Sequence, residues 1–371
     1  MDDPAPSFVD HFAAVPDPRV VGRCAHKLFD ILFIAVVAFI SRCDDWEMVA
    51  LWARERESWL RKYCELPGGI PSHDTFTRVF SCIDPEALRI AFASWMADVE
   101  AITAGSVVAV DGKTLRRAFA RAGDGKGAIH MVSAWLTENR VVLGQLKVEA
   151  KSNEITAIPE LLRLLELKGA LVTIDAMGCQ KDIAEQIVEQ GADYLLAVKE
   201  NQPTLLEDVK RTFEEAPRQA LRHVKTVDEG HGRLEIREYY QCADLSKLRT
   251  ATDWPGLRSV GMVVSHRFVG PDQNSTETRY YISSLNLGVK RMAKGIRSHW
   301  GIENQLHYVL DVSFDEDHNR TRAGNGAENM AIARHAAMNF LQAATHLKVG
   351  IKNRRNLAAI STKILEKILQ I

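Results

Sequence analysis

The chain has 371 residues, 46% hydrophobic and 26% charged, which is the composition of a soluble globular protein with one principal domain and a smaller one appended. A net charge of −1 excludes no class of partner, because acidic helices and an acidic site can cancel a basic face. The longest apolar run, Ile31 to Ile40, is too short for a membrane span, and the start "MDDPAPSF" is acidic and proline-broken, unlike a signal peptide.

The six cysteines, Cys24, Cys43, Cys64, Cys82, Cys179 and Cys242, have no C-x-x-C spacing, which predicts reduced thiols in a cytoplasm. Residues 1–104 read as a helical domain. Apolar periodicity runs from Lys27 to Ser41 and from Trp46 to Cys64, where Trp46, Val49, Ala50, Ala53 and Trp59 share a face. "LPGGIPSHDT" breaks it, with Ser72 or Asp74 capping the next helix. Two short helices across that break fit either a helix-turn-helix or a packing domain.

From Val107 the texture changes to strands. "VVAVD", "IHMVSAWLT" and "RVVLGQLKVE" predict an antiparallel meander with a two-residue turn at Glu138-Asn139. A helix fits Glu154 to Lys168, the strand "ALVTID" ends on Asp175, a helix fits Cys179 to Gln190, and the strand "DYLLAV" precedes a helix begun by Pro203. The first and fourth strands therefore both end on an aspartate.

Residues 218–287 are strand-rich and irregular, which predicts a β-rich insertion, and a long helical stretch then runs from Val289 to about Val312. The catalytic core is expected over 105–217 and 288–347, with a basic helical tail over 348–371 whose "KNRRN" reads as a solvated loop.

Asp111, Asp175 and Glu303 are the candidate catalytic residues. In an open sheet whose first strand lies beside its fourth, the ends of both strands are neighbours, and a glutamate on a helix over that edge can close the group. Two unit charges ~4 Å apart repel by roughly 4 kcal/mol at an effective dielectric near ~20, so clustered carboxylates need a cation or a proton. All-oxygen ligands select Mg²⁺, or Mn²⁺, and two such ions about 4 Å apart would serve phosphodiester chemistry. Lys113 and Arg116 would then face the phosphate chain. A strand-end aspartate is also a common turn former, and spacing alone leaves both readings open.

The blocks "VVAVDGKTLRRA", "TIDAMGCQKDIAEQIVEQGADYLLAVKENQPTL" and "RSHWGIENQLHYVLDVSFDEDHNRTRAGNGAENMAIARHAAMNFL" resemble those of the insertion-sequence DDE transposases of the H-repeat-associated, ISAs-type family. The N-terminal "FAAVPDPRVVGRCAHKLFDILFIAVVAFISRCDDWEMVALWA" and "IPSHDTFTRVF" are similar to the helical region before the family's core, so the likeness covers nearly the whole chain. It implies an α/β fold with a ribonuclease H-like core, a mixed five-stranded sheet with flanking helices. Asp111, Asp175 and Glu303 become the three metal-binding acids. It also implies binding of terminal inverted repeats and target DNA by a bacterial, nucleoid-associated enzyme, with a homodimer in the synaptic complex. Alternatives are a catalytically silent DNA-binding relic or repressor, and a structure-selective nuclease on the same core. Related transposases carry Y-x2-R-x3-E-x6-K, where this chain has Ile296, His299, Glu303 and Leu310. The roles of that arginine and lysine fall to Arg297, His299 or His307, and a hairpin intermediate is left open.

Further DNA contacts are expected from Lys199 and Asn201 after the fifth strand, from His231 and Arg233 in "EGHGRLE", and from Arg320 and Arg322 in "HNRTRAGN". Each has a plainer reading as a polar loop or an ion pair. Trp300 is either a stacking platform for an unpaired base or a core residue. His299, Glu303 and His307 recur every four residues, a stripe that also suggests zinc, but the order is not H-E-x-x-H.

Overall fold

The computed structural model describes residues 8–100, 102–115, 129–148, 153–230, 232–269 and 273–369. The N-terminal part is helical: α1 (Phe8–Ala13), α2 (Leu28–Ile40), α3 (Trp46–Glu55), α4 (Glu57–Leu60), α5 (His73–Cys82) and α6 (Pro85–Val99). Local chemistry sets the boundaries. Asp45 Oδ1 accepts the Met48 amide at 2.8 Å to start α3, and Ser72 rather than Asp74 caps α5, its Oγ accepting the Thr75 amide at 3.2 Å. The apolar run Ile31 to Ile40 lies in α2 and is buried on every side, and Asp30 in its first turn accepts the Leu66 amide at 2.8 Å. Among the described residues no helix is long and apolar enough to cross a membrane.

Five strands follow the expected order: β1 (Val107–Leu115), β2 (Ile129–Leu136), β3 (Val141–Val148), β4 (Leu171–Ile174) and β5 (Asp193–Val198). β1, β2 and β3 form the antiparallel meander, while β1, β4 and β5 run parallel. The β2–β3 turn is wider than the two residues expected, spanning 137–140 with Arg140 at φ 61°. Helices α7 (Glu154–Arg163), α8 (Lys181–Glu189) and α9 (Pro203–Glu215) follow β3, β4 and β5.

The sheet does not stop at five strands. β6 (Arg222–Gly230), β7 (Arg233–Cys242), β8 (Ser259–Val269) and β9 (Gln273–Ser283) are antiparallel neighbours, and β9 pairs with β5 from Leu195↔Ser283 to Val198↔Tyr280. One sheet of nine strands results, in the order β3-β2-β1-β4-β5-β9-β8-β7-β6. The expected insertion is thus an extension of the core sheet. It covers the edge that β5 would otherwise present as unpaired amides and carbonyls.

Side-chain alternation gives the sheet two apolar faces. Val108, Val110, Val172 and Ile174 share a core with Ile158 and Leu161 of α7 and Ile183 of α8. Val107, Leu171, Leu195, Tyr239 and Val263 pack instead under Met292, Ala293 and Ile296 of α10 (Val289–Gly301). A π-helical turn (Ile302–His307) and α11 (Tyr308–Phe314) continue α10, so the predicted long helical stretch is present but changes its hydrogen bonding in the middle.

α12 (Gly326–Ala343) is buried along most of its length against α2, α5, α6 and β3. α13 (Ile351–Ile360) and α14 (Thr362–Leu369) close the chain. The "KNRRN" stretch, expected as a solvated loop, lies in α13, and Arg355 within it is fully buried.

Candidate active site

Asp111 is not at the end of its strand, as the apolar run had suggested. β1 continues to Leu115 against β2, but its pairing with β4 stops at Val110↔Ile174. Asp111 is therefore the first residue past the point where β1 and β4 part. Asp175 directly follows β4 and caps a 3-10 turn (Ala176–Gly178), its carboxylate accepting the Met177 amide at 3.0 Å. The two aspartates thus stand on either side of one fork in the sheet. Glu303 sits in the π-helical turn and is exposed. A π-turn admits an extra residue and re-aims the side chains around it. Four residues on, His307 turns its Nδ1 to within 3.5 Å of Asp111 Oδ2.

The electrostatics join these groups. Burial, then the charge of Asp175, and further Glu303 and Glu154, push the Asp111 carboxyl up to about 7, against a lowering hydrogen bond from the Gly112 amide. Asp175 is also raised, by burial and then by Glu154, while the Met177 and Gly178 amides and Lys199 oppose the shift. Burial and the neighbouring Lys113 hold His307 neutral, its pKa pushed down to about 3, and its buried Nε2 finds no hydrogen-bond partner among the described residues.

Glu154 was not singled out from the sequence. It is the first residue of α7, behind Asn153, whose side chain accepts the Ile155 amide at 3.1 Å. An acid in a first helical turn is common on dipole grounds alone, so the local signal was ambiguous. The fold turns it toward the aspartates: its Oε1 meets His130 Nε2, and His130 Nδ1 lies 2.8 Å from Thr114 Oγ1.

Among the described residues no three histidine, cysteine, aspartate or glutamate side chains stand close enough to hold a metal ion as they are placed. The donor chemistry nevertheless suits a hard divalent cation. The acids offer only oxygen donors, and the half-buried Asp111, its carboxyl pushed up to about 7, is the group whose negative charge a cation would stabilise.

The expected DNA contacts divide. Lys113 does not face outward: its side chain is 11% exposed and its Nζ lies 2.5 Å from Asp311 Oδ1 and 2.6 Å from Glu316 Oε2. His299 turns inward, its Nδ1 3.1 Å from Thr173 Oγ1, with burial pushing its pKa down to about 4. His307 is given to Asp111. Asn201 donates to the Ala176 carbonyl at 2.7 Å and so braces the turn carrying Asp175, while Lys199 is exposed at that edge. Arg233, Arg297, Trp300, Glu303 and Asn304 line one groove of about 430 Å³ where the face of β7–β9 runs out beyond α10. Trp300 is half-buried there under the Arg279 guanidinium, 4.5 Å from the ring centroid. Arg320 and Arg322 are exposed on a second cavity of about 500 Å³, shared with Asp44, Asp45 and Trp46. Of the neighbouring acids Asp315, Glu316 and Asp317, the first meets His318 at 2.6 Å and the second meets Lys113, while Asp317 and Arg322 are each engaged as well. Arg116 and His231 lie outside the described residues.

A large mixed sheet with flanking helices, bearing acids at the fork of its parallel strands, defines a class of α/β proteins with a carboxylate site. Comparison with known proteins narrows the class. Residues 103–340 match the family described as "Transposase DDE domain", and residues 9–96 match "DDE_Tnp_1-associated". The chain belongs to the DDE transposases, and within them to the H-repeat-associated type. It is 44% identical to "Putative transposase YncI" of Escherichia coli O157:H7, covering 98% of this chain and 94% of that one. It is 40% identical to "H repeat-associated putative transposase YhhI" of Escherichia coli K12, covering 98% and 97%. A cryo-EM structure of the piggyBac transposase synaptic complex with hairpin DNA superposes with TM-score 0.47 at 11% identity, over 98% of this chain and 79% of that one.

Proposed function

We propose that this transposase binds the terminal inverted repeats of its own element, cleaves phosphodiester bonds there and joins the freed 3′-hydroxyl ends to target DNA, on a ribonuclease H-like core. The observation that carries the reading is the pair of aspartates where β1 and β4 part, with the half-buried Asp111 carboxyl pushed up to about 7 as Asp175 and Glu303 act on it. The parallel pairing of β1 with β4 up to Val110↔Ile174 sets Asp111 beside Asp175, which supports the reading. Asp111, Asp175 and Glu303 would hold two divalent ions, Mg²⁺ or Mn²⁺, which when bound activate a water or 3′-hydroxyl and stabilise the departing oxyanion.

The chain's own side chains do the rest. His307 stays neutral against Asp111 and keeps bulk water from that side of the carboxylate. Lys199, exposed beside Asp175, offers a cation to a phosphate at the fork. Arg233, Arg297 and Trp300 line the groove that leads away from Glu303 and would carry the flanking strand. Arg320 and Arg322 would hold the DNA backbone further out, and two copies would synapse two ends.

The test is strand cleavage of labelled end DNA with Mg²⁺ and a chelator control, with the nick mapped to the nucleotide. Asp111→Asn should reduce cleavage to background while end binding persists. Full cleavage by that variant rejects the assignment.

A further inference from the structure

We propose that Glu154 is a fourth carboxylate of the same centre, held in place by His130 and Thr114 and directed at the divalent ions that Asp111 and Asp175 would bind. This rests on the metal-dependent reading above.

The argument begins with backbone register. Thr114 pairs with His130 across β1 and β2, and Gly112 with Val132, so Gly112, Thr114 and His130 belong to one face of the sheet. Gly144 of β3, on that face, packs against Leu161 of α7. Asp111 alternates to the other face, where α10 and the π-turn lie. Glu154 thus approaches the fork from the α7 side and Glu303 from the α10 side. Gly112 is what lets Glu154 through: a Cβ there would stand 2.1 Å from Glu154 Oε1 and 2.7 Å from His130 Nε2. The residue directly after Asp111 therefore has to be glycine for this carboxylate to lie where it does.

The carboxylate is also fixed. Glu154 Oε1 takes a hydrogen bond from His130, and His130 is oriented from its far side by Thr114 at 2.8 Å. A buttress of carboxylate, imidazole and hydroxyl is more than a helix-capping acid needs, since Asn153 already caps α7. The Glu154 and Asp111 side chains are 18% and 17% exposed, they come to the fork from opposite faces of the sheet, and the Glu154 charge acts on both Asp111 and Asp175.

The experiment is calorimetric titration of the full chain with Mn²⁺ alone, so that the readout is ion binding and not turnover. Glu154→Gln should weaken Mn²⁺ binding by about tenfold or more, Glu154→Asp should recover part of it, and His130→Phe should lose about 10- to 100-fold, as for residues that orient a ligand. Unchanged affinity in Glu154→Gln, with wild-type circular dichroism, overturns the proposal. Absence of Mn²⁺ binding by the wild-type chain overturns the metal-dependent reading and this proposal with it, whereas unchanged affinity in Glu154→Gln beside a binding wild type overturns this proposal alone. Should Glu154→Gln fail to fold, Glu154→Ala supplies the same test: weakened Mn²⁺ binding with wild-type circular dichroism supports the proposal, and wild-type affinity overturns it. Failure of the broader reading looks different, because there Asp111→Asn would bind Mn²⁺ and cut DNA like the wild type.

Discussion

A carboxyl group buried among other carboxylates keeps its proton well above the usual range, and Asp111 does so at about 7 against an ordinary 3.8. Between those values the folded, metal-free chain holds a proton that the unfolded chain has released. The slope of stability with pH is then negative, so this contribution is present at low pH and is lost as pH rises toward 7. His307 and His299, with pKa values pushed down to about 3 and about 4, act in the opposite sense and cost stability as pH falls below 6.5. Comparison with a variant isolates the aspartate. With chelator present, the wild-type melting temperature should fall more steeply than that of Asp111→Asn between pH 5 and pH 7. Parallel slopes would show that Asp111 ionises normally. Lys113 teaches a related lesson: a cation two residues from a candidate catalytic acid looked available to phosphate, yet Asp311 and Glu316 already hold it.

The helical run from Val289 to Phe314 shows what an element can conceal. Its apolar periodicity reads correctly over α10, where Met292, Ala293 and Ile296 face the sheet. The π-turn at Ile302–His307 leaves no mark in that periodicity, because it changes which carbonyl each amide meets rather than which residues are apolar. It has a geometric consequence, since one residue more or less rotates an α-helix by about 100°. Deleting Gln305 should restore α-helical bonding, leave far-UV circular dichroism unchanged and abolish metal-dependent cleavage, because Glu303 and His307 would no longer keep their present orientations relative to Asp111. Wild-type cleavage by the deletion variant would show the π-turn to be incidental.

At the scale of the molecule, the last helices tie the first ones to the site. The fully buried Arg355 of α13 donates to the Phe39 carbonyl at 2.9 Å and 2.7 Å, meets Asp44 Oδ1 at 2.5 Å, reaches the Ser313 carbonyl and lies 4.0 Å from the centroid of the Phe314 ring. The ends of α2 and α11 are thereby pinned together by a residue from the basic tail. Removing one partner of a buried ion pair leaves the other unsatisfied, so Arg355→Ala should cost about 3–5 kcal/mol in denaturant unfolding. A loss below about 1 kcal/mol, the range of an exposed pair, would place Arg355 among surface interactions.

Local chemistry was legible from residues near in the chain: a cap at Ser72 or Asp74, the change to strands at Val107, the order of helices and strands, and Asp175 at the end of its strand. These depend on periodicity and on contacts a few residues long, which any reader of the sequence can evaluate. Tertiary structure alone decided that β9 extends the sheet from β5, that Glu154 and His130 meet over Gly112, and that Arg355 is a buried tie. Each of these depends on which distant groups meet and how deeply they are buried. A residue's type states what charge or hydrogen bond it can offer, and only the packed chain determines what accepts it.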